Sequence, residues 1–334
     1  MKEKKLINMT MFDLLKGVSM IGVIYGHNFV SGDNTVLGIW FGKILYSVLM
    51  PAFFMVSGYW LKKKDIKSGI KAGVGNLLKF YIIVSVIVNV IGFIHRALSG
   101  NIKQWVEAFL IPSLLVSTKS PSRVGPMWFV FALFLAWSLF YIVINIKSEK
   151  MQMLIAVISA VLGGILMPLQ LPFQIGQGLI AFFFVYCGYL LKKRKLLDAK
   201  IHPLIYLALI IIWIVSIAFG SMNMYAYDVQ YGIFSIVGSL CGSYLIVRGF
   251  LYLNLLEWPI LDGIRWMGRC SMWILCVHTI EYAAFPWGSV FGIIGHSEWA
   301  GSWLHFAIRF IVVVIICMVI QRVQNYRIKV KYQK

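Results

Sequence analysis

Few ionisable side chains fall inside the apolar segments of this 334-residue chain, and those that do are spaced so that several act from one face. The segment FDLLKGVSMIGVIYGHNF holds Asp13, Lys16 and His27. On a helix turning about 100° per residue, eleven steps from Lys16 to His27 end about 20° past three turns. Fourteen steps from Asp13 to His27 end about 40° short of four turns, so all three side chains share a face. Along the axis Lys16 and His27 stand about 16 Å apart. Further on, His278 and Glu281 sit at i and i+3, and His305 and Arg309 at i and i+4. An imidazole exchanges protons near neutral pH, and charged neighbours orient it or carry compensating charge. A charged residue at a bilayer centre costs about 2.5–3.5 kcal/mol or more, so such groups line a protein interior or a wet cavity. Counting inward from the segment ends puts Lys16, Ser57 and His278 in the inner third. Glu281 and Arg309 then fall near the middle, and His27, Trp128 and His305 further out, as a polar track across the membrane. The plainer reading makes Asp13–Lys16 a local pair that snorkels to the interface and Glu281–Arg309 a structural ion pair. Spacing alone leaves both readings open.

The elements that must carry these residues are membrane spans. Apolar residues make up 60% of the chain and charged ones 13%, against roughly a quarter charged in a soluble domain. That excludes a water-soluble globule, a disordered chain and a collagen-like fibre. Apolar blocks near 11–30, 37–61, 77–95, 127–146, 151–168, 173–191, 203–220, 231–252, 271–293 and 301–320 predict ten transmembrane helices. The fold expected is an all-α polytopic membrane protein with one integral membrane domain over 1–334. The outer connection 96–126 is expected to hold a short interfacial helix or lid, and 253–270 a short amphipathic element. The first span lacks a small-residue cleavage site and reads as retained rather than as a removed leader.

The net charge of +19 is a topology signal. Most of the 31 lysines and arginines lie on one set of connections, including Lys62–Lys64 with Lys67, Lys71 and Lys79, the KKRK run at 192–195, and the C-terminal tail. The other set carries Arg96, Lys103, Lys119 and Arg123. The positive-inside rule then places both termini in the cytoplasm, and a nucleic-acid partner drops out. Five cysteines in or beside apolar blocks show no metal-ligand or disulfide spacing, and no metal is expected.

Four stretches, in order, resemble the acyltransferase 3 family of integral membrane acyltransferases. FDLLKGVSMIGVIYGHNF (12–29) is similar to its first span, in which a basic residue precedes a functional histidine by eleven positions. MPAFFMVSGYWLKKK (50–64) resembles its P-x-F-F-x-x-S-G span and basic loop, and GPMWFVFALF (125–134) its W-F-x-x-x-L-F segment. GRCSMWILCVH (268–278) resembles G-x-x-S-x-x-x-Y-x-x-H, with Leu275 where an aromatic is common. Two departures are Lys16, where arginine is frequent, and a loop carrying lysines instead of an arginine cluster, with Lys71 and Lys79 as its counterparts. The flavour is closest to the fucose 4-O-acetylase and exopolysaccharide O-acetyltransferase branch.

The resemblance implies transfer of an acyl group, most often acetyl from cytoplasmic acetyl-CoA, to a hydroxyl of a cell-envelope glycan or lipid-linked sugar. It implies a multi-pass protein of a bacterial plasma (inner) membrane, in contact with membrane lipid. In that reading His27 is the general base or a transient acyl carrier, with Asp13 and Lys16 orienting the donor or holding the first span in register. Lys16, Lys71, Lys79 and His278 would hold acyl-CoA, and Trp128, Glu281, His305 and Arg309 the acceptor. Ser57 and Ser271 are expected to pack rather than to act as nucleophiles. Rival readings are a polysaccharide or small-molecule transporter, since buried charges also suit a translocation path, and a non-catalytic scaffold or sensor.

Overall fold

The computed structural model describes residues 7–29, 36–118, 122–285, 287 and 298–332. They form helices α1 (Met9–Phe29), α2 (Val36–Trp60), α3 (Ile66–Ala97), α4 (102–115), α5 (Gly125–Val143), α6 (Glu149–Leu166) and α7 (Ile175–Lys193). Then come α8 (Pro203–Phe219), α9 (Ile233–Leu253), α10 (Pro259–Arg269), α11 (Ser271–Ala284) and α12 (Glu298–Tyr332). Strands β1 (Met222–Asn223) and β2 (Asp228–Val229) pair antiparallel between α8 and α9, with Met222 opposite Val229 and Asn223 opposite Asp228. Eight described helices are long and apolar enough to cross a bilayer, and the protein is an all-α polytopic membrane protein. Two expected spans are shorter as helices, α8 with 17 residues and α11 with 14.

Three boundaries differ from the hydropathy reading. The third span was expected from 77, but α3 begins at Ile66, where the Asp65 side chain caps the helix by accepting from the Ser68 N–H at 2.9 Å. That hydrogen bond holds the Asp65 carboxyl below its usual range. Hydropathy finds the apolar stretch, whereas helix formation extends into the lysine-rich turns before it. The ninth span was expected to run to 293, but α11 stops at Ala284. Phe285 is extended (φ −87°, ψ 132°), as the residue before a proline prefers, and Pro286 follows it. The rest of that stretch, apart from 287, and Lys119 lie outside the described residues. The last helix, expected over 301–320, runs from Glu298 to Tyr332.

The bundle has a basic end and a far end. At the basic end Phe12 packs on Tyr59 and Trp60, and Lys192 Nζ lies 4.7 Å from the centre of the Trp60 ring. Trp266 donates to Gln321 Oε1 there, while at the far end Tyr25 meets Trp303 and Phe306. Helices α1 and α12 therefore run antiparallel. Helix α7 is central and mostly buried, whereas α12 is buried along little of its length and offers most of its surface to lipid.

Close crossings fix the helices that hold the site. Helix α10 lies along the start of α1, where a Cβ on Gly17 would meet the Ile264 carbonyl oxygen at 2.0 Å and one on Gly268 that of Asp13 at 1.7 Å. Small residues let the two backbones touch, as membrane helix pairs require. This crossing delivers the chain to the level of Asp13 before α11 begins. The helix carrying His278 therefore starts inset within the bundle.

Candidate functional site

His27 and His278 are 251 residues apart in sequence and meet side by side, His27 Nδ1 lying 3.0 Å from His278 Nε2. Their ring centres are 5.0 Å apart. One turn on in α11, Glu281 Oε1 lies 2.8 Å from His278 Nδ1. Arg309 of α12 donates through Nη2 to the same oxygen at 2.7 Å and through Nε to both carboxylate oxygens at 3.2 and 3.3 Å. The Trp287 indole donates to Glu281 Oε2. His278 is fully buried, and Glu281 and Arg309 are 3% and 5% exposed.

The hydrogen bonds assign the protons. A carboxylate only accepts, so Glu281 takes the Nδ1–H of His278. The Nε2 of a neutral His278 is then an acceptor, and His27 must donate to it through Nδ1–H. The remaining nitrogen of His27, Nε2, keeps its lone pair. The line Arg309–Glu281–His278–His27 therefore delivers an oriented, unprotonated nitrogen on His27, as a carboxylate-held histidine does in hydrolase triads, but with one more imidazole in series.

His27 lines a cavity of about 310 Å³ walled mainly by apolar and aromatic groups, among them Tyr46, Trp128, Tyr225, Leu275 and Tyr282. The cavity follows α1 from His27 down to Met20, about 10 Å along the helix axis. Its far-end wall includes the tip of the β1–β2 hairpin. Tyr225 there stands edge-on to His27 with ring centres 5.8 Å apart. The hairpin is pinned by Thr118, which donates from Oγ1 to the Tyr225 carbonyl (3.2 Å), and by Gln174, which donates to the Tyr227 hydroxyl (3.1 Å). Gln177 donates to the Met224 carbonyl at 3.4 Å. Sequence reasoning passed over Tyr46, Tyr225 and Tyr282. The signal available was three tyrosines, Tyr225, Tyr227 and Tyr231, in one short polar connection, and one beside Glu281.

The site residues singled out from the sequence separate into groups. His27, His278, Glu281 and Arg309 come together, and Trp128, 5% exposed, lines the same cavity as His27. The depth count for His278, which grouped it with Lys16 and apart from His27, is corrected: its side chain reaches that of His27. Glu281 and Arg309 form the buried ion pair that was the plainer reading, and the same carboxylate also holds His278. His305 is partly buried one turn before Arg309 and lines neither this cavity nor the one beside Arg309. Asp13 and Lys16 pair with each other at 2.8 Å, Asp13 being buried. Lys16 does not line the cavity and lies one turn beyond its floor at Met20. Lys71 and Lys79 are exposed on the basic-end half of α3. Lys79 lies 5.1 Å from the centre of the Phe80 ring, which abuts Trp273 of α11. Ser57 accepts a hydrogen bond from the Trp137 indole (2.8 Å), and all five cysteines are free thiols. No group of three or more His, Cys, Asp or Glu suited to a metal ion occurs among the described residues.

Compared with known proteins, residues 10–322 match the family described as an acyltransferase domain. No curated protein and no solved structure matches the chain.

Proposed function

The chain belongs to the acyltransferase 3 family, whose members are O-acyltransferases and therefore enzymes, and from that premise we propose that His27 is the general base for acyl transfer from acyl-CoA, most simply acetyl-CoA, to a hydroxyl of a cell-envelope or exported glycan. The observation that carries this reading is the hydrogen-bond line that ends on His27, a residue lining the cavity. The acceptor hydroxyl gives its proton to Nε2 as its oxygen attacks the thioester carbonyl. The tetrahedral intermediate then collapses with cleavage of the C–S bond, and the Nε2 proton goes to the departing thiolate. The ester and free CoA are the products. Positive charge on His27 during the step is relayed to His278 and stabilised by Glu281, in the manner of a general base held by an oriented partner. Tyr46 and Tyr225 line the same cavity and supply O–H donors of the kind an oxyanion needs. Trp128 offers an aromatic face for the acceptor sugar.

The donor is read as entering from the basic end, which this proposal assigns to the cytoplasm. The cavity floor at Met20 lies about 6 Å along α1 from Lys16. Exposed Lys71 and Lys79 place positive charge at that end for the phosphates of CoA. His278 moves from the donor-binding group to the catalytic one, where it positions His27.

The test is thiol release from acetyl-CoA by the purified protein with envelope glycan, alongside the mass gain of the glycan. His27→Ala should lower both by about 10²–10⁴-fold, the usual worth of a general base, while the protein remains folded and inserted. Undiminished release in that variant would remove His27 from the chemistry.

A further inference from the structure

A second cavity, of about 250 Å³, opens at the far end on the other side of Tyr282. Its lining includes His95, Arg96, Arg123 and Arg309 and, among the described residues, neither aspartate nor glutamate. The charge of Arg309 is offset by Glu281, so among the described residues the uncompensated charge comes from Arg96 and Arg123. The far side carries few cations, as the positive-inside rule expects, yet two of them face one small cavity. Arg123 is held in place. Its backbone N–H donates to the Ala108 carbonyl at 2.9 Å, and its guanidinium carbon lies 5.9 Å from the centre of the Tyr282 ring. Arg309 covers the same ring at 5.6 Å, and the ring of His27 lies 6.1 Å from it. One aromatic side chain thus separates the cationic cavity from the imidazole.

We infer that this second cavity seats an anionic group of the acceptor, a phosphoryl or carboxylate held by Arg96 and Arg123, while the hydroxyl to be acylated reaches past Tyr282 to His27. The inference rests on the reading of His27 as the base. The His27 cavity offers aromatic faces and hydroxyls but, among the described residues, no lysine or arginine to hold an acidic group, whereas a guanidinium fork grips a planar or tetrahedral oxyanion through paired N–H donors. Arg96 and His95 are exposed and Arg123 is partly buried, so the two guanidiniums span the cavity from its surface inward. The preferred substrate class is therefore acidic: a uronic-acid-containing glycan or a phosphate-bearing sugar.

The experiment is binding, which needs no transfer. The full-length protein in nanodiscs of zwitterionic lipid is titrated at low salt with glucose 1-phosphate, glucuronate and glucose. At least one charged sugar is expected to bind about tenfold or more tighter than glucose. That preference should fall below about twofold in Arg123→Gln and in Arg96→Gln and be partly restored in Arg123→Lys. His27→Ala should keep it, so a failed base assignment and a failed anion seat give different results. Equal binding of charged and neutral sugars overturns the inference, as does a preference that survives both glutamine variants. Repeating the titration with phosphatidylglycerol in the nanodisc separates the sources. Unchanged sugar binding supports an acceptor anion, and tenfold weaker binding assigns the seat to a lipid headgroup and overturns the proposal.

Discussion

Helix α1 carries polar groups on one face at both of its ends, and the two ends have different fates. At the basic end Asp13 and Lys16 satisfy each other within a single turn, 2.8 Å apart. At the far end His27 has no charged partner within its own helix and instead meets His278, which is held in turn by Glu281 and Arg309. A pair closed within one helix requires nothing of the rest of the fold. A group whose partner lies 251 residues away requires α10, α11 and α12 to be in place. The shared helix face, legible in the sequence, is the same signal in both cases. What distinguishes a structural pair from a reactive group is whether the bundle brings it a partner and a cavity.

Substitutions at the two ends sharpen that contrast. The largest effect after His27 itself is expected at His278. His278→Ala strips His27 of its orienting acceptor and should lower kcat by about 10²–10³-fold, within the range for lost acid–base function, with little change in KM. Steady-state kinetics with acetyl-CoA measures this, and a change confined to KM would return His278 to the donor-binding group. Glu281→Gln keeps the shape and removes the charge, and kcat should drop about 10-fold to 10²-fold. Glu281→Ala also removes the carboxylate that faces the buried Arg309 cation and should cost about 3–5 kcal/mol of stability, read as a fall in Tm.

Gly268→Val probes the crossing that sets the level of α11. The added side chain runs into the Asp13 carbonyl and should destabilise the protein by about 1–3 kcal/mol, with lost activity from a displaced His278. A variant with unaltered Tm and rate would show that α10 does not set the register. The smallest effect is expected at the other end of α1. Lys16→Ala should raise KM for the acyl donor a few-fold and leave kcat and acceptor binding nearly unchanged. A large loss of kcat there would mean that the two ends of α1 act as one unit.

Much of the architecture was legible because hydrophobic length is a property of local sequence. A bilayer requires apolar runs of about twenty residues, and the runs were visible without any contact information. The boundaries that moved did so for reasons hydropathy does not contain: the Asp65 cap extends α3 into polar turns, and Pro286 ends α11 early. The amphipathic element expected within 253–270 is α10, and the helix expected in 96–126 is α4. Helix α4 is docked by the Tyr81 hydroxyl, which donates to the Ser113 carbonyl at 2.6 Å, and by the Trp105 indole on the Asn89 carbonyl at 3.1 Å.

The site was legible only as separate ingredients. His27, His278, Glu281 and Arg309 stood out because ionisable groups in lipid-length segments are costly. Their order was misread because counting residues from a span edge gives each helix its own depth scale and does not show which side chains meet across the bundle. The tyrosines of the cavity were missed because aromatic residues abound in this chain and at membrane interfaces, so type alone does not mark them.

By itself the amino-acid order determined which segments are long and apolar enough to enter a membrane, the segregation of cations between two sets of connections, and which few polar groups are drawn into apolar surroundings. These follow from transfer free energies that each segment carries with it. Only the packed bundle decided that two imidazoles touch, that a carboxylate and a guanidinium stand behind them, and that one tyrosine ring divides an apolar cavity from a cationic one. Those relations depend on backbone crossings between helices remote in the chain, and such crossings have no local energetic signature.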